Sequence, residues 1–125
     1  MGETRVKTVK KPWGRELWYA ANRSYVGKIL HIKRGGRLSL QYHRVKHETI
    51  YTLRGRLLLT LGRASRVVPQ GRAVVIPPRS VHRFAAPYGP VTLLEASTPQ
   101  LSDVVRLEDD YERVPQGRKR RSRRP

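Results

Sequence analysis

Residues 35–55 of this 125-residue chain read GGRLSLQYHRVKHETIYTLRG, a strand-like run bounded by glycines. It places Gln41, His43 and Glu48 within eight positions, in a chain that has only nine acidic residues. Side chains two residues apart on a strand point to the same face, so Gln41 and His43 share one face. An amide, an imidazole and a carboxylate in this order predict a polar site on one side of a sheet.

A second stretch, GRAVVIPPRSVH at residues 71–82, supplies the partner of the first. Its two prolines form a turn that aims the following strand, and with it His82, inward. Together with Gln41, His43 and Glu48, this gives a mixed nitrogen and oxygen ligand set. Such a set suits a divalent metal ion, with zinc first and iron, manganese, nickel or copper as alternatives.

The remaining chain consists of short apolar runs separated by Gly and Pro, which is typical of an all-β sandwich or jelly-roll barrel. The predicted strands are 16–19, 25–33, 38–43, 49–54, 56–61, 73–76, 81–85 and 91–96. Gly55 lies between two of them and predicts a tight hairpin. Residues 103–111 fit either a helical turn or an edge strand.

Charge and length predict one domain with a basic end. The net charge is +18, and six of the positive charges lie in the last eight residues, RKRRSRRP. We expect a flexible or edge-strand N-terminus at 1–10, a single domain at 11–114 and a disordered basic tail at 115–125. No nucleic-acid-binding motif accompanies the charge, so only non-specific polyanion binding at low salt is expected.

The chain has no cysteine, which fits a reducing cytosol. No apolar run approaches the roughly 20 residues that span a bilayer, and the charged N-terminus lacks the apolar region of a secretory signal. We therefore expect a cytoplasmic protein without membrane contact.

Two spacings resemble the paired motifs of the cupin superfamily. The first, G-x5-Q-x-H-x4-E-x6-G, runs from Gly35 to Gly55 and has Gln41 where cupins usually have a histidine. The second, G-x5-P-x4-H, ends at His82 and follows after 15 residues. The segments KPWGRE (11–16), LSLQYH (38–43), IPPRSVHR (76–83) and VVRLEDDY (104–111) are similar to the cupin domain of type II mannose-6-phosphate isomerases.

This resemblance implies a single-domain double-stranded β-helix, with Gln41, His43, Glu48 and His82 as metal ligands. It also implies a sugar-phosphate isomerase like mannose-6-phosphate isomerase, acting on a phosphorylated or nucleotide-linked sugar. The sequence departs from the family where the stretch HHHRAEHW reads HRVKHETI, and where the usual Gly and Asn are Arg79 and Ala86. The ligand positions are unaffected by these changes.

Isomerisation requires a base that moves a proton between two carbons and a cation that holds the phosphate. Glu95 is the first candidate for the base and Lys28 the second. Lys46 or Arg79 is the candidate for the phosphate. Glu95 is also open to interpretation as one half of a salt bridge.

Other assignments stay open at the level of the sequence. His31 fits either packing or the pocket, whereas His47 is expected to face solvent. A non-catalytic small-molecule-binding or regulatory cupin, and a metal-dependent dioxygenase, are the alternatives to the isomerase. The expected oligomer is a homodimer, in which residues 5–9 add to an edge of the partner's sheet.

Overall fold

The computed structural model describes residues 2–111 and residue 113, and these residues form eleven strands. The predicted basic tail at 115–125 lies outside the described residues. Within the described part there is no helix of the length and apolarity that crossing a membrane requires.

The strands form two antiparallel sheets that face each other. The first has six strands in the order β1 (Lys7–Lys11), β2 (Gly14–Ala21), β3 (Val26–Ile32), β10 (Val91–Ser97), β5 (Glu48–Arg54) and β8 (Ala73–Ile76). The second has five in the order β11 (Val105–Glu108), β4 (Leu40–Tyr42), β9 (His82–Ala85), β6 (Arg56–Leu61) and β7 (Ala64–Pro69). This arrangement is the double-stranded β-helix expected from the sequence.

The core lies between the sheets and follows the alternation of the strands. On β3, Val26, Lys28, Leu30 and Ile32 are all buried, as their shared face predicts. The buried apolar cluster is contributed by both sheets and comprises Trp13, Leu30, Ile32, Leu38, Ile50, Leu57, Leu59, Val68, Ile76, Phe84, Ala86, Val91 and Leu93. Lys28 is therefore a charged group on a core-facing position, which marks where the polar site begins.

Gly55 does not close a hairpin, so that prediction was wrong. The strands on either side of it, β5 and β6, belong to different sheets. Gly55 has φ +84°, and a Cβ at this position would lie 2.4 Å from the carbonyl oxygen of Pro90. The glycine lets the chain turn a corner from one sheet to the other beneath a neighbouring loop.

Three edge segments complete the barrel. Strand β7 was not predicted, because its only buried position is Val68 and alternation is therefore absent. Strand β1 pairs with β2 of the same chain, and β11 pairs with β4. Residues 103–111 thus contain an edge strand, which was one of the two predicted alternatives.

Candidate metal centre

Three buried side chains bring their ligand atoms to one point between the sheets. His43 follows β4, Glu48 begins β5 and His82 begins β9, so both sheets contribute. Their ligand atoms lie within 4.8 Å of one another, and the residues are 4%, 3% and 1% exposed. The sequence predicted all three, and the strand pairing explains how positions so far apart in the chain meet.

Backbone carbonyls orient both imidazoles. Nδ1 of His43 donates to the carbonyl of Asp103 at 2.6 Å, and Nδ1 of His82 donates to the carbonyl of Ser80 at 2.8 Å. With the proton on Nδ1, each ring presents Nε2 to the centre. Metal-binding histidines are held in this way in proteins.

The two Nε2 atoms converge on a single oxygen. Oε2 of Glu48 lies 3.0 Å from Nε2 of His43 and 3.4 Å from Nε2 of His82. Among the described residues, Nε2 of His82 is buried without a hydrogen-bond partner. Three electron-rich atoms this close together need a positive charge among them. Because Nδ1 of each ring already donates to a carbonyl, the arrangement fits a divalent metal ion between the two Nε2 atoms and the carboxylate.

The charge of Glu48 is stabilised within this cluster. Burial raises its pKa, but contacts with His43 and His82 and the nearby Lys46 outweigh that effect and hold the pKa well below the usual range. Glu48 is therefore an anion at neutral pH, as a metal ligand must be.

Gln41 stands next to the three convergent residues. It is paired with His82 in the β4–β9 register, and residues directly opposite each other share a face. Its Oε1 accepts a hydrogen bond of 2.5 Å from the hydroxyl of Ser39, and its side chain lines the cavity beside the centre. Its assignment as a fourth ligand remains a prediction that this position suits.

Glu95 and Lys46 form a buried pair beside the metal centre. Nζ of Lys46 lies 3.0 Å from Glu95 and 4.0 Å from Glu48, and Ser97 donates a hydrogen bond of 3.0 Å to Glu95. Glu95 is thus both a pocket acid and one half of a salt bridge.

This pair has shifted pKa values. Burial is the main cause that raises the pKa of Glu95; the charge of Glu48 adds to it, while Lys46 and Lys28 oppose it. Burial lowers the pKa of Lys46, but Glu95 and Glu48 outweigh this and raise it. A carboxyl group with a raised pKa next to a candidate metal has the character of a general acid or base.

Lys28 lines the same cavity and is held by residues of the neighbouring strand β2. Its Nζ lies 3.5 Å from Glu16 and 4.6 Å from the ring centroid of Trp18. The indole of Trp18 donates a hydrogen bond of 2.8 Å to Glu16. Lys28 also pairs with Glu95 across β3 and β10, so both predicted base candidates face the same space.

Arg79 does not join this group. It is exposed, it adopts φ 69°, and its side chain is not among those that line the cavity. Its backbone amide donates to the carbonyl of His43 at 2.6 Å, so Arg79 helps to position the backbone of a candidate ligand. Its role in substrate binding remains a prediction.

Two further histidines lie outside the three-residue cluster. His47 is exposed, as expected, and His31 lies near Thr92, with Nδ1 3.2 Å from the hydroxyl oxygen.

The cavity above the centre has a volume of about 410 Å³, which is within the range of small-molecule sites. Its lining includes His43, Glu48, Glu95, Lys46 and Lys28, together with apolar core side chains. It also includes three cations that sequence reasoning missed, Lys11, Arg106 and Arg113. In a chain with 27 Lys and Arg residues, nothing in the sequence distinguished these three from the others.

Asp103 was missed as well, although it supports the centre from two directions. Its carboxylate accepts hydrogen bonds from the backbone amides of Arg44, Val45 and Lys46 at 3.0, 2.7 and 2.9 Å. These bonds, with that of Val45 the largest cause, lower its pKa to about 2. The loop between His43 and Glu48 is thereby fixed.

Two facing antiparallel sheets that carry His, Glu and His at the cupin motif positions define the class of protein: this is a cupin. The chain matches the family described as mannose-6-phosphate isomerase C-terminal over residues 2–115, and it belongs to that family.

Relatives are similar to the chain in sequence, and a solved structure shares its fold. The chain is 30% identical over 110 residues to the alginate biosynthesis protein AlgA of Pseudomonas aeruginosa, covering 85% of this chain and 23% of AlgA. It is 26% identical over 104 residues to the mannose-1-phosphate guanylyltransferase RfbM of Salmonella typhimurium, covering 80% of this chain and 22% of RfbM. The chain therefore spans less than a quarter of these relatives. A cupin-2 domain from Rhodospirillum rubrum has a TM-score of 0.70 at 18% identity, covering 82% of this chain and 79% of that domain.

Proposed function

We propose that this cupin is a metal-dependent isomerase of a phosphorylated sugar, with activity like that of mannose-6-phosphate isomerase. The observation that carries the proposal is that one cavity holds both the His43, Glu48 and His82 cluster and the buried pair of Glu95 and Lys46. Family membership and relatives named for mannose phosphate chemistry support the choice of substrate.

Each part of the cavity has a task in this reaction. A divalent metal held by His43, Glu48 and His82 would stabilise negative charge on the sugar oxygens. Glu95, with its raised pKa, takes the proton from one carbon and returns it to the next. Lys46 bonds to Glu95 and stabilises the ionised form that must accept the proton.

Glu95 is better placed than Lys28 to act as the base. Glu95 is linked through Lys46 to Glu48 and hence to the metal centre, whereas the charge of Lys28 is shared by Glu16 and the face of Trp18. The walls of the cavity include Trp13, Leu30 and Phe84, which exclude water from the reacting carbons.

The experiment is an assay of metal-loaded protein with mannose 6-phosphate and a panel of related sugar phosphates. The proposal expects aldose–ketose conversion that stops when metal is removed by a chelator. Binding of a sugar phosphate without conversion would instead favour a binding or regulatory cupin. Oxygen consumption by iron-loaded protein would favour a dioxygenase.

A further inference from the structure

The mouth of the cavity carries positive charge from both sheets. Lys11 ends β1, an edge strand of the six-stranded sheet, and Arg106 lies in β11, an edge strand of the five-stranded sheet. Arg113 lines the same opening. Because these cations come from strands far apart in the chain, their meeting is a property of the barrel and not of a charged segment.

Arg106 is aimed at the site. It is paired with Gln41 in the β4–β11 register, so the two side chains share the cavity face. Among the described residues, Nε of Arg106 is buried without a hydrogen-bond partner. A buried guanidinium N–H without an acceptor is costly, which indicates that a ligand oxygen belongs there.

Among the described residues, the two carboxylates nearest to these cations form their ion pairs with other groups. Asp109 binds Arg113, with Oδ2 2.6 Å from Nε, and Glu16 bonds to Lys28 and Trp18. In the described part of the chain, neither Lys11 nor Arg106 forms an ion pair with a carboxylate. Burial is the main cause that lowers the pKa values of both groups, and the charge of Arg113 adds to it, whereas Glu16 opposes it at both positions and does not outweigh it. A bound anion would therefore stabilise both cations.

We propose that Arg106 and Lys11 form a subsite for the phosphate group of a phosphorylated sugar, with Arg113 lining the same opening and bound to Asp109. The proposal rests on the proposed function for the identity of the ligand. An arginine binds two phosphate oxygens at once and a lysine adds a point charge. The sugar then extends past Gln41 toward the metal centre.

The two cations predicted earlier for this role are placed less favourably. Lys46 is 5% exposed and already forms an ion pair with Glu95, so its charge is neutralised within the protein. The side chain of Arg79 lies outside the cavity lining. The subsite at the mouth leaves Lys46 available for its partner Glu95.

The test compares single charge removals on the full chain by calorimetric titration with mannose 6-phosphate, mannose and inorganic phosphate at physiological salt. Lys11→Gln and Arg106→Gln should each weaken binding of both phosphates about 10- to 100-fold, the range of one hydrogen bond to a charged group. Binding of mannose should not change. The phosphate affinity of Arg106→Lys should lie between those of wild type and Arg106→Gln, because lysine keeps the charge but cannot form the paired hydrogen bonds of a guanidinium group.

The controls remove the same charge from a different face. Lys10→Gln alters the neighbouring position of β1, which is exposed, and Arg66→Gln alters exposed β7 at the far edge of the sheet of Arg106. Thermal unfolding of each variant verifies that it is folded; if Arg106→Gln does not fold, Lys11→Gln carries the test.

Equal phosphate affinities in the site and control variants would overturn the subsite, as would a wild-type protein that binds neither phosphate. Measurements of turnover distinguish a failure of the subsite from a failure of the isomerase activity. An unchanged KM for mannose 6-phosphate in both site variants of an active isomerase contradicts only the subsite. Phosphate binding that depends on Arg106 and Lys11 in a protein without turnover contradicts only the isomerase.

Discussion

Nδ1 of the candidate ligand His43 lies 2.6 Å from the backbone carbonyl of Asp103, 60 residues further along the chain. The side chain of Asp103 meanwhile accepts three amide hydrogen bonds from the loop that follows His43. One residue therefore orients the imidazole with its backbone and fixes the adjoining loop with its carboxylate. The candidate metal centre is therefore positioned in part by a segment that supplies none of the three candidate ligands.

Replacing Asp103 should weaken metal binding without removing a ligand. Asp103→Ala leaves three loop amides without their acceptor and loosens the carbonyl that holds His43, so we expect a loss of roughly 10- to 100-fold in metal affinity. Competition with a chromophoric chelator measures it. Asp110→Ala, which removes an exposed ion pair with Arg37, is the control. Equal metal affinity in the two variants would show that Asp103 does not position the centre.

Removing the carboxylate of Glu95 should separate catalysis from metal binding. Glu95→Gln keeps the size of the side chain but cannot accept the substrate proton, so kcat should fall roughly 10²- to 10⁴-fold. Metal content should stay at the wild-type level, because Glu95 is not one of the convergent ligands. Steady-state assays and elemental analysis of the same sample check both. Full activity in Glu95→Gln would move the role of base to Lys28.

The ion pair of Asp109 and Arg113 should contribute to stability only above acidic pH. Although burial raises the pKa of Asp109, its bonds to Arg113 outweigh this and hold the pKa below the ordinary value of 3.8. The unfolded chain therefore binds this proton more tightly, and the contribution is present above that value and is lost as the pH falls below it.

The measurement is urea unfolding of wild type and Asp109→Asn between neutral pH and pH 3. The difference in unfolding free energy should be largest at neutral pH and should shrink toward pH 3. Glu3→Gln, which removes an exposed carboxylate from the N-terminal segment, provides the charge control. A difference that is constant with pH would argue against the ion pair.

The corner at Gly55 should tolerate a side chain less well than a simple turn does. Gly55 and Gly62 both have positive φ, at +84° and +64°, but only at Gly55 would a Cβ meet other atoms. Gly62→Ala should cost about 1 kcal/mol from backbone strain alone. Gly55→Ala should cost about 1–3 kcal/mol more, because the carbonyl of Pro90 must move. Equal unfolding free energies of the two variants would contradict the packing of this corner.

The sequence predicted the barrel and the three convergent candidate ligands because the patterns that indicate them are local. Alternation on β3 gives its buried face, and the glycine and proline spacings give the turns around His43, Glu48 and His82. The sheet to which a strand belongs is not encoded locally, and for that reason Gly55 was misread as a hairpin.

The roles of residues that long-range strand pairing places at the site were not predictable from the sequence either. Arg106 faces the cavity only because β11 pairs with β4, and Asp103 reaches His43 only because the same pairing brings the C-terminal segment alongside. Neither residue has a periodic or motif signal. The role of such charged residues follows from the groups that they contact, and these contacts are known only when the pairing of the strands is known.

We expect His43, Glu48 and His82 together to hold a divalent metal ion. The direct measurement is elemental analysis of the purified protein after dialysis, for wild type, His82→Ala and the exposed control His47→Ala. We expect close to one divalent ion per chain in wild type and His47→Ala, and little metal in a His82→Ala variant that remains folded by circular dichroism. A metal-free wild type that cannot be reconstituted, or a folded His82→Ala variant with full metal content, would show that these three residues do not form a metal site.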